Sequence, residues 1–322
     1  MMTTIRAAYG VALIALALAG IASGQEIASP LFVSHDPILS ICISPGGEEV
    51  AFVALSKGRN VLYLRPAQGP ETQIDSDSLI RNVQFLDADR LVYATRDQIK
   101  LHDRHTGETG ALASGANPVC FQGHDRLVYT QGKAIRILKV RAAKDAAVTA
   151  GQDVLLPCDW LTKNTFLACK DGCVFKVGLD GSREVILEGN PYAPWYVGVT
   201  LSPDGSKALL VSDDTKANVG GGGHSVWVMS LADRTATQLV SGNWHAQWVD
   251  SERIVMSSAG RLALMNVVTR AEKTLEEGAK LIETSDCRAG RVVLARRETD
   301  EDGLMQGASV SSISVASQEL LP

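Results

Sequence analysis

Hydrophobic and polar positions alternate in short runs along this chain, and turn residues separate the runs. In the clearest stretch an apolar run leads into Ser-Pro-Asp-Gly at residues 202–205, and a second apolar run leaves it. Proline fixes its own φ and glycine tolerates positive φ, so this tetrapeptide favours a tight turn. Two further apolar runs follow, at residues 225–231 and 235–240. Four short runs bounded by turns predict one four-stranded antiparallel unit.

The same strand-turn-strand pattern recurs at intervals of roughly 40 residues, which is the spacing of a β-propeller blade. Seven copies in near-constant register argue against chance similarity within a β-sandwich. The sequence therefore predicts an all-β fold, a seven-bladed β-propeller of four-stranded antiparallel blades, over residues 39–322. The copies are anchored at Ile43, Phe85, Phe121, Trp160, Leu201, Trp248 and near Asp286.

The N-terminal residues 1–24 have the features of a secretory signal peptide. Arg6 supplies a positive charge, residues 11–22 are apolar, and small residues precede Gln25. The apolar run is shorter than the roughly 20 residues of a spanning helix. We expect cleavage near Gln25 and a periplasmic or secreted protein, with an uncleaved anchor as the alternative. Residues 25–38 then form an N-terminal segment, which is either a strand that closes the ring or a tail on the surface.

Charge and composition narrow the classes of partner. The chain has 31 basic and 36 acidic residues, a formal net charge of −5, and no basic stripe. Nucleic-acid binding therefore has no electrostatic support. No segment after the signal peptide could span a membrane as a helix. We expect a monomer with no cofactor and no bound metal.

Catalytic motifs are absent from the sequence pattern. A serine hydrolase needs Gly-x-Ser-x-Gly between a strand and a helix. The nearest match, residues 223–227, has Trp227 at the second glycine and precedes a strand. His102 and His105 lie at the end of a strand and in its turn, so their side chains should diverge rather than share a metal. We expect a chain without a catalytic domain.

The six cysteines suggest one disulfide in an exported protein. Cys169 and Cys173 flank a short turn and could pair across it. Cys158 lies on the preceding strand and competes for Cys169. Cys42 and Cys120 each directly precede the anchor residue of their blade, on the innermost strand, so we expect them to be buried free thiols.

The repeats resemble those of the TolB-type, WD-repeat-like propellers, whose blades carry Ser-Pro-Asp-Gly after the innermost strand. Residues 202–205 keep this turn intact, and residues 44–47 nearly do. Residues 90–93, Arg-Leu-Val-Tyr, are also similar to the N-terminal propeller of prolyl oligopeptidase family enzymes. The resemblance implies the propeller fold. It leaves the function open, because such repeats serve protein docking, sugar lyase chemistry and peptidase gating alike.

One face of the predicted propeller concentrates aromatic and imidazole side chains. Loops that join strands two and three of a blade share a face with the loops between blades, and the longest of these fall in blades 4 to 6. Exposed aromatic residues suit peptide or sugar recognition. The alternative is that the tryptophans wedge between blades as core. The predicted ligand- or partner-binding residues are Tyr192, Trp195, Tyr196, His224, Trp244 and His245.

The sequence alone favours an exported, non-catalytic propeller that binds or scaffolds a protein or peptide partner. The alternatives are an enzyme with its site at the propeller mouth, such as a metal-assisted lyase on acidic sugars, and a relic of an oligopeptidase propeller. Acidic residues near the mouth weigh against the lyase, because they would repel uronates unless a metal bridged them. These residues are Asp213, Asp214, Glu298, Asp300, Glu301 and Asp302.

Overall fold

The computed structural model describes residues 29–66, 69–148, 155–189, 196–213, 224–242, 244–258, 261–277, 282–288, 291–299 and 305–315. These residues form strands and turns without a helix, in seven four-stranded antiparallel sheets. The predicted all-β, seven-bladed propeller is therefore confirmed. Within the described ranges, no helix is long and apolar enough to cross a membrane.

Consecutive strands pair within each blade. Blade 1 comprises β2 to β5, blade 2 β6 to β9, blade 3 β10 to β13, blade 4 β14 to β17, blade 5 β18 to β21 and blade 6 β22 to β25, while blade 7 combines β26 to β28 with β1. In chain order the strands are β1 (Ser29–Ser34), β2 (Ile38–Ile43), β3 (Glu49–Ser56), β4 (Arg59–Pro66), β5 (Thr72–Asp77), β6 (Arg81–Phe85), β7 (Arg90–Ala94), β8 (Gln98–Asp103), β9 (Thr109–Ser114), β10 (Ala116–Phe121), β11 (Arg126–Gln131), β12 (Ala134–Lys139), β13 (Lys144–Ala147), β14 (Leu156–Thr162), β15 (Thr165–Lys170), β16 (Cys173–Gly178), β17 (Arg183–Leu187), β18 (Tyr196–Leu201), β19 (Lys207–Asp213), β20 (His224–Ser230), β21 (Thr235–Val240), β22 (His245–Trp248), β23 (Arg253–Ser258), β24 (Arg261–Asn266), β25 (Glu272–Glu277), β26 (Ile282–Arg288), β27 (Arg291–Thr299) and β28 (Met305–Ser314).

Turn chemistry sets where the strands end. In the Ser-Pro-Asp-Gly turn, Gly205 has a φ of 68°, which glycine adopts without strain. The Ser202 hydroxyl donates to Asp204 Oδ1 at 2.7 Å, and the backbone N–H of Ser206 donates to the same oxygen at 3.0 Å. Led by the Ser202 hydroxyl, these donors lower the pKa of Asp204 to about 2. The side chains thus close the turn between β18 and β19.

The hydrophobic core lies between the blades. Between blades 1 and 2, for example, Cys42, Val53 and Leu62 pack against Phe85 and Leu91 of the next blade, and all five are buried. Such burial contributes roughly 25 cal/mol for each Å² of apolar surface removed from water. Because a blade covers its neighbour on each side, the ring must close for every blade to be covered.

The N-terminal strand closes the ring. β1 pairs antiparallel with β28, so blade 7 takes three strands from the C-terminal end of the chain and its outermost strand from residues 29–34. The Phe32 ring lies 4.9 Å from that of Phe52 in blade 1, between ring centroids, and the Arg65 guanidinium lies 4.5 Å from the Phe32 centroid. One aromatic side chain therefore joins the first and last blades.

The Arg-Leu-Val-Tyr strand of blade 2 contacts both neighbouring blades. Arg90 Nε donates to Asp87 within the blade at 2.8 Å, and Arg90 Nη1 lies 2.6 Å from Asp125 of blade 3. The Tyr93 hydroxyl donates to Asp75 of blade 1 at 2.8 Å. Burial, together with Asp75, raises the pKa of Tyr93, so the hydroxyl stays a donor. The motif that suggested an oligopeptidase propeller thus has a structural role here.

Replacing Phe32 with alanine should destabilise the folded ring. We expect a loss of about 2 kcal/mol in the free energy of unfolding, below the roughly 3–5 kcal/mol of a fully buried phenylalanine, because this ring is only half-buried. Urea denaturation of the mature chain measures it. The matched control is Val33→Ala on the same strand, where the side chain is 67% exposed and the expected change is within about 0.5 kcal/mol. Equal losses for both variants would contradict a closing role for Phe32.

Candidate functional site

The first strands of the blades line a central channel, and one end of it is the candidate site. This end, which we call the mouth, carries the loops between second and third strands and the loops between blades. A cavity of about 310 Å³ lies there, within the size range of small-ligand pockets. Its walls come from blades 2 to 6. They include Asn82, Asn117, Pro157, Val197, Gly198 and Ala246.

Two histidines face each other at the rim of the mouth. His224 begins β20 in blade 5 and His245 begins β22 in blade 6. Their ring centroids lie 6.3 Å apart. His224 Nδ1 lies 3.4 Å from the carbonyl oxygen of Ser212, which can only accept a hydrogen bond. His224 Nδ1 is therefore the donor in this contact.

His245 is electrostatically suited to act as a base. Its side chain keeps an exposed surface, but desolvation by the surrounding protein lowers its pKa, and the nearby His224 lowers it further. Both effects disfavour the charged imidazolium. His245 is therefore neutral at pH 7 and able to accept a proton.

Trp244 connects the two histidines. Its backbone N–H donates to the carbonyl oxygen of His224 at 3.1 Å, and it directly precedes His245. The indole is half-buried against the cluster between blades 5 and 6 that includes Trp248, and the Arg261 guanidinium lies 5.9 Å from its ring centroid. Trp244 thus combines the two predicted roles, since part of its ring packs as core and part remains exposed at the mouth.

The other predicted aromatic residues do not contribute a described surface. Tyr192 and Trp195 lie outside the described residues. Tyr196 is 3% exposed and packs edge-on against Trp227, with ring centroids 6.2 Å apart. The Trp227 indole in turn donates to the Ser212 hydroxyl at 3.1 Å. Tyr196 therefore belongs to the core between blades 4 and 5 and does not line the mouth.

The acidic residues that weighed against a uronate are only partly described. Asp213 stands directly opposite His224 in the pairing of β19 with β20. Glu298 is half-buried on β27, opposite Gly307 of β28. The remaining acidic residues of this group lie outside the described ranges, namely Asp214, Asp300, Glu301 and Asp302.

The described residues do not assemble a metal site. A catalytic metal ion such as zinc is held by three protein ligands, with a further position left open. His224 and His245 supply two imidazoles, and no group of three His, Cys, Asp or Glu side chains occurs in the described part of the chain.

Two asparagines of the mouth were missed by the sequence analysis. Asn82 and Asn117 have φ values of 53° and 52°, in the left-handed region that asparagine tolerates better than most residues. Each lies in a β-bulge near the start of its blade's first strand. Asn117 Nδ2 donates to the Thr130 hydroxyl at 3.1 Å, whereas Asn82 is exposed. The available signal was an asparagine just before the apolar run in two successive repeats.

Polar groups at the opposite end of the channel join neighbouring blades. A cavity of about 720 Å³ lies there. Asp286 Oδ2 accepts from the Ile43 N–H at 2.7 Å, and Asp159 Oδ2 accepts from the Leu201 N–H at 2.8 Å. Each carboxylate therefore caps a backbone donor of the next blade. This end of the channel holds the ring together, and the mouth remains the better candidate for chemistry.

The strand register does not favour the predicted Cys169–Cys173 link. All six cysteines are free thiols in the structure. Asp171 and Gly172 form a two-residue turn with φ values of 49° and 78°, as in a type I′ hairpin. Cys173 then pairs with Lys170, while Cys169 pairs with Val174. Because successive side chains point to opposite faces of a sheet, Cys169 and Cys173 point apart.

Comparison with known proteins rests on the fold. No family model matches the sequence, and no curated protein matches it. The structure is similar to an oligogalacturonate lyase in complex with manganese, with 12% sequence identity, a TM-score of 0.65, and coverage of 87% of this chain and 90% of that chain. It is also similar to an oligogalacturonate lyase from Vibrio parahaemolyticus, with 13% identity, a TM-score of 0.64, and coverage of 88% and 92%. At such identities the likeness shows a shared propeller fold.

These neighbours correct the leading functional interpretation. The sequence favoured a non-catalytic propeller that binds or scaffolds a protein partner, and that interpretation is wrong as the leading one, because both solved structures named above are lyases. The TolB-type character of the repeat stays a prediction.

Replacing Asp159 with alanine should weaken the contact between blades 4 and 5. The variant leaves the Leu201 N–H without its acceptor, so we expect a loss of about 1–3 kcal/mol in the free energy of unfolding. Asp159→Asn is the matched control, because its amide oxygen still accepts and the loss should be smaller. Thermal melts and urea titrations compare the two. Similar stability of Asp159→Ala and the unmodified protein would show that this bond does not hold the blades together.

Proposed function

We propose that this chain is an enzyme with its site at the propeller mouth, a lyase that cleaves an acidic oligosaccharide by β-elimination. The observation that carries the proposal is the imidazole pair at the rim, His224 and His245, with ring centroids 6.3 Å apart. The likeness in fold to two oligogalacturonate lyases supports the choice of reaction class.

β-Elimination from a uronate makes three demands on a site. A base must remove the proton next to the carboxyl group, hydrogen-bond donors or cations must stabilise the charge that develops on that group, and an acid must protonate the departing oxygen. Two titratable groups with different environments are the usual means of providing the base and the acid.

His245 is assigned as the base. Its lowered pKa keeps the imidazole neutral at pH 7, and its exposed surface at the mouth lets a substrate approach. General bases work best with a pKa near the working pH, where the proton-accepting form is populated and the base is still strong enough to take the proton.

His224 is assigned as the acid. The Ser212 carbonyl oxygen fixes the proton on Nδ1, so the second proton of the imidazolium resides on Nε2. An imidazolium at this position can donate that proton to the departing oxygen of the sugar. The Trp244 N–H, bonded to the His224 carbonyl oxygen, holds this residue close to His245.

Neutral and cationic donors around the mouth suit a polyhydroxylated anion. Asn82 and Asn117 line the cavity and offer amide groups to hydroxyl or carboxylate oxygens. Arg81, at the start of β6, is exposed and adds a positive charge beside Asn82. The exposed part of the Trp244 indole offers an apolar face on which a sugar ring can stack.

No step of this proposal passes through a metal ion. One of the similar lyases is described in complex with manganese, but the described residues here do not supply three ligands. The charge on the substrate carboxylate is therefore assigned to the amide groups and to Arg81.

The proposal also includes export and the type of repeat. Residues 1–24 resemble a signal peptide, so the enzyme would work in the periplasm or outside the cell, where oligosaccharides of this class are met. The intact turn at residues 202–205 supports a TolB-type repeat.

Incubation with oligogalacturonate tests the reaction and the base together. β-Elimination leaves an unsaturated uronate that absorbs in the ultraviolet, so the purified mature protein should produce a rising absorbance. His245→Asn should lower the rate roughly 100-fold or more, because asparagine cannot accept the proton. The matched control, His105→Asn, replaces an exposed histidine in a turn of blade 2 and should leave the rate unchanged. Absence of product from the unmodified protein would refute the substrate class, and full activity of His245→Asn would refute the base.

The pH dependence should reflect the lowered pKa of His245. Because the neutral form is required, kcat/KM should hold as the pH falls through about 6.5, the ordinary imidazole value, and decline only at lower pH. His224→Asn removes a group that lowers this pKa, so the midpoint for His245 should move upward. NMR titration of the His245 ring protons measures the midpoint independently of activity. A His245 midpoint at or above 6.5 in the unmodified protein would contradict the assignment.

A further inference from the structure

The innermost hairpin of blade 4 brings two thiols together. Leu156 of β14 stands opposite Cys169 of β15, and the pairing then shifts between Pro157 and Asp159, so that Cys158 occupies a β-bulge. In a bulge, two residues of one strand stand opposite a single partner, which reorients the side chain of the extra residue. The bulge turns Cys158 toward the face of the hairpin on which Cys169 is buried, and the Cys158 thiol donates to the Leu156 carbonyl oxygen at 3.3 Å.

Both thiols belong to one packed environment. Cys169 is 2% exposed within the cluster between blades 4 and 5, and Cys158 packs against the same cluster. Cys173 pairs with Lys170, the residue after Cys169. Its side chain therefore points to the opposite face of the sheet from Cys169. Of the two partners that the sequence left open for Cys169, the geometry favours Cys158.

The two thiols differ in access. Cys158 is half-buried and lines both cavities of the central channel, so a small oxidant can reach it. The hydrogen bond to Cys158 and burial raise the pKa of the Cys169 thiol well above its usual value. The half-buried Cys158 thiol is thus positioned to react first, and the buried Cys169 thiol to react with the product.

We propose that Cys158 and Cys169 form a cross-strand disulfide that an oxidising compartment closes and a reducing one opens. A small disulfide such as oxidised glutathione is the oxidant. The Cys158 thiolate attacks one of its sulfurs and releases one glutathione thiolate, which takes up the Cys158 proton. Cys169, after losing its proton, attacks Cys158 Sγ and releases the second glutathione. The protein loses two protons and two electrons, and one oxidised glutathione becomes two reduced ones.

The cross-link would act on the wall of the channel. Asp159, directly after the bulge, accepts the Leu201 N–H of blade 5 at 2.8 Å. Fixing Cys158 to β15 therefore fixes the backbone from which this contact between blades arises. The inference is independent of the proposed lyase reaction, because it rests on the hairpin rather than on the histidines.

Peptide mapping of the native protein tests the link directly. Trypsin cleaves after Lys163 and Lys170, which places Cys158, Cys169 and Cys173 on three different peptides. The purified mature chain is equilibrated with oxidised glutathione, remaining thiols are alkylated, and the digest is examined without reduction. We expect the peptides of Cys158 and Cys169 to be joined, with a mass lower than their sum by two hydrogens, and to separate on reduction.

Two serine variants distinguish this pairing from the alternatives. Cys173→Ser should leave the joined peptide unchanged, whereas Cys158→Ser should abolish it while the far-ultraviolet circular dichroism stays that of the folded protein. Free, alkylated Cys158 and Cys169 after prolonged oxidation would overturn the proposal. So would a link from Cys169 to Cys173, or from Cys158 to Cys120 of the neighbouring blade.

Discussion

Burial of apolar surface between blades is the constraint on which the rest of this structure depends. Each blade is a thin sheet whose two faces are covered only by its neighbours, so no blade has a core of its own. The ring must therefore close, and the chain closes it by pairing β1 with β28. Phe32, packed on Phe52 of blade 1, then covers the last apolar face with a residue from the opposite end of the sequence.

The two ends of the channel differ in how their side chains are used. At one end, side chains of the first strands bond across the gap between blades, as when the Trp160 indole donates to the Val119 carbonyl oxygen at 3.0 Å and the Trp248 indole donates to the Thr200 carbonyl oxygen at 3.1 Å. These groups are engaged in holding the ring. At the mouth, bulges interrupt the regular pairing of the first strands, and the Trp244 N–H donates to the His224 carbonyl oxygen across blades 5 and 6.

Periodic features of the fold could be predicted from sequence, whereas local deviations could not. The repeat of apolar runs and turns identified the blades, because each blade needs the same buried strand at the same spacing. Tyr196 was expected at the mouth because it follows a proline- and aromatic-rich segment, but β18 begins at that residue and buries it. Asn82 and Asn117 were missed because a bulge does not appear in the alternation of apolar and polar residues, and the asparagine before each apolar run was the available signal. The position of Cys169 relative to Cys173 also depends on the turn between them, which has two residues rather than the expected three.

The distinction between ring and mouth also explains why the fold alone says so little about function. Two propellers at 12% identity share the burial of apolar surface between blades, because every propeller sequence must provide it. The groups that would perform chemistry lie at the mouth of the channel, outside the packed surfaces between blades. In the proposed lyase these groups are His224 and His245, which come together because β20 and β22 begin at the same rim and because the Trp244 N–H bonds to the His224 carbonyl oxygen.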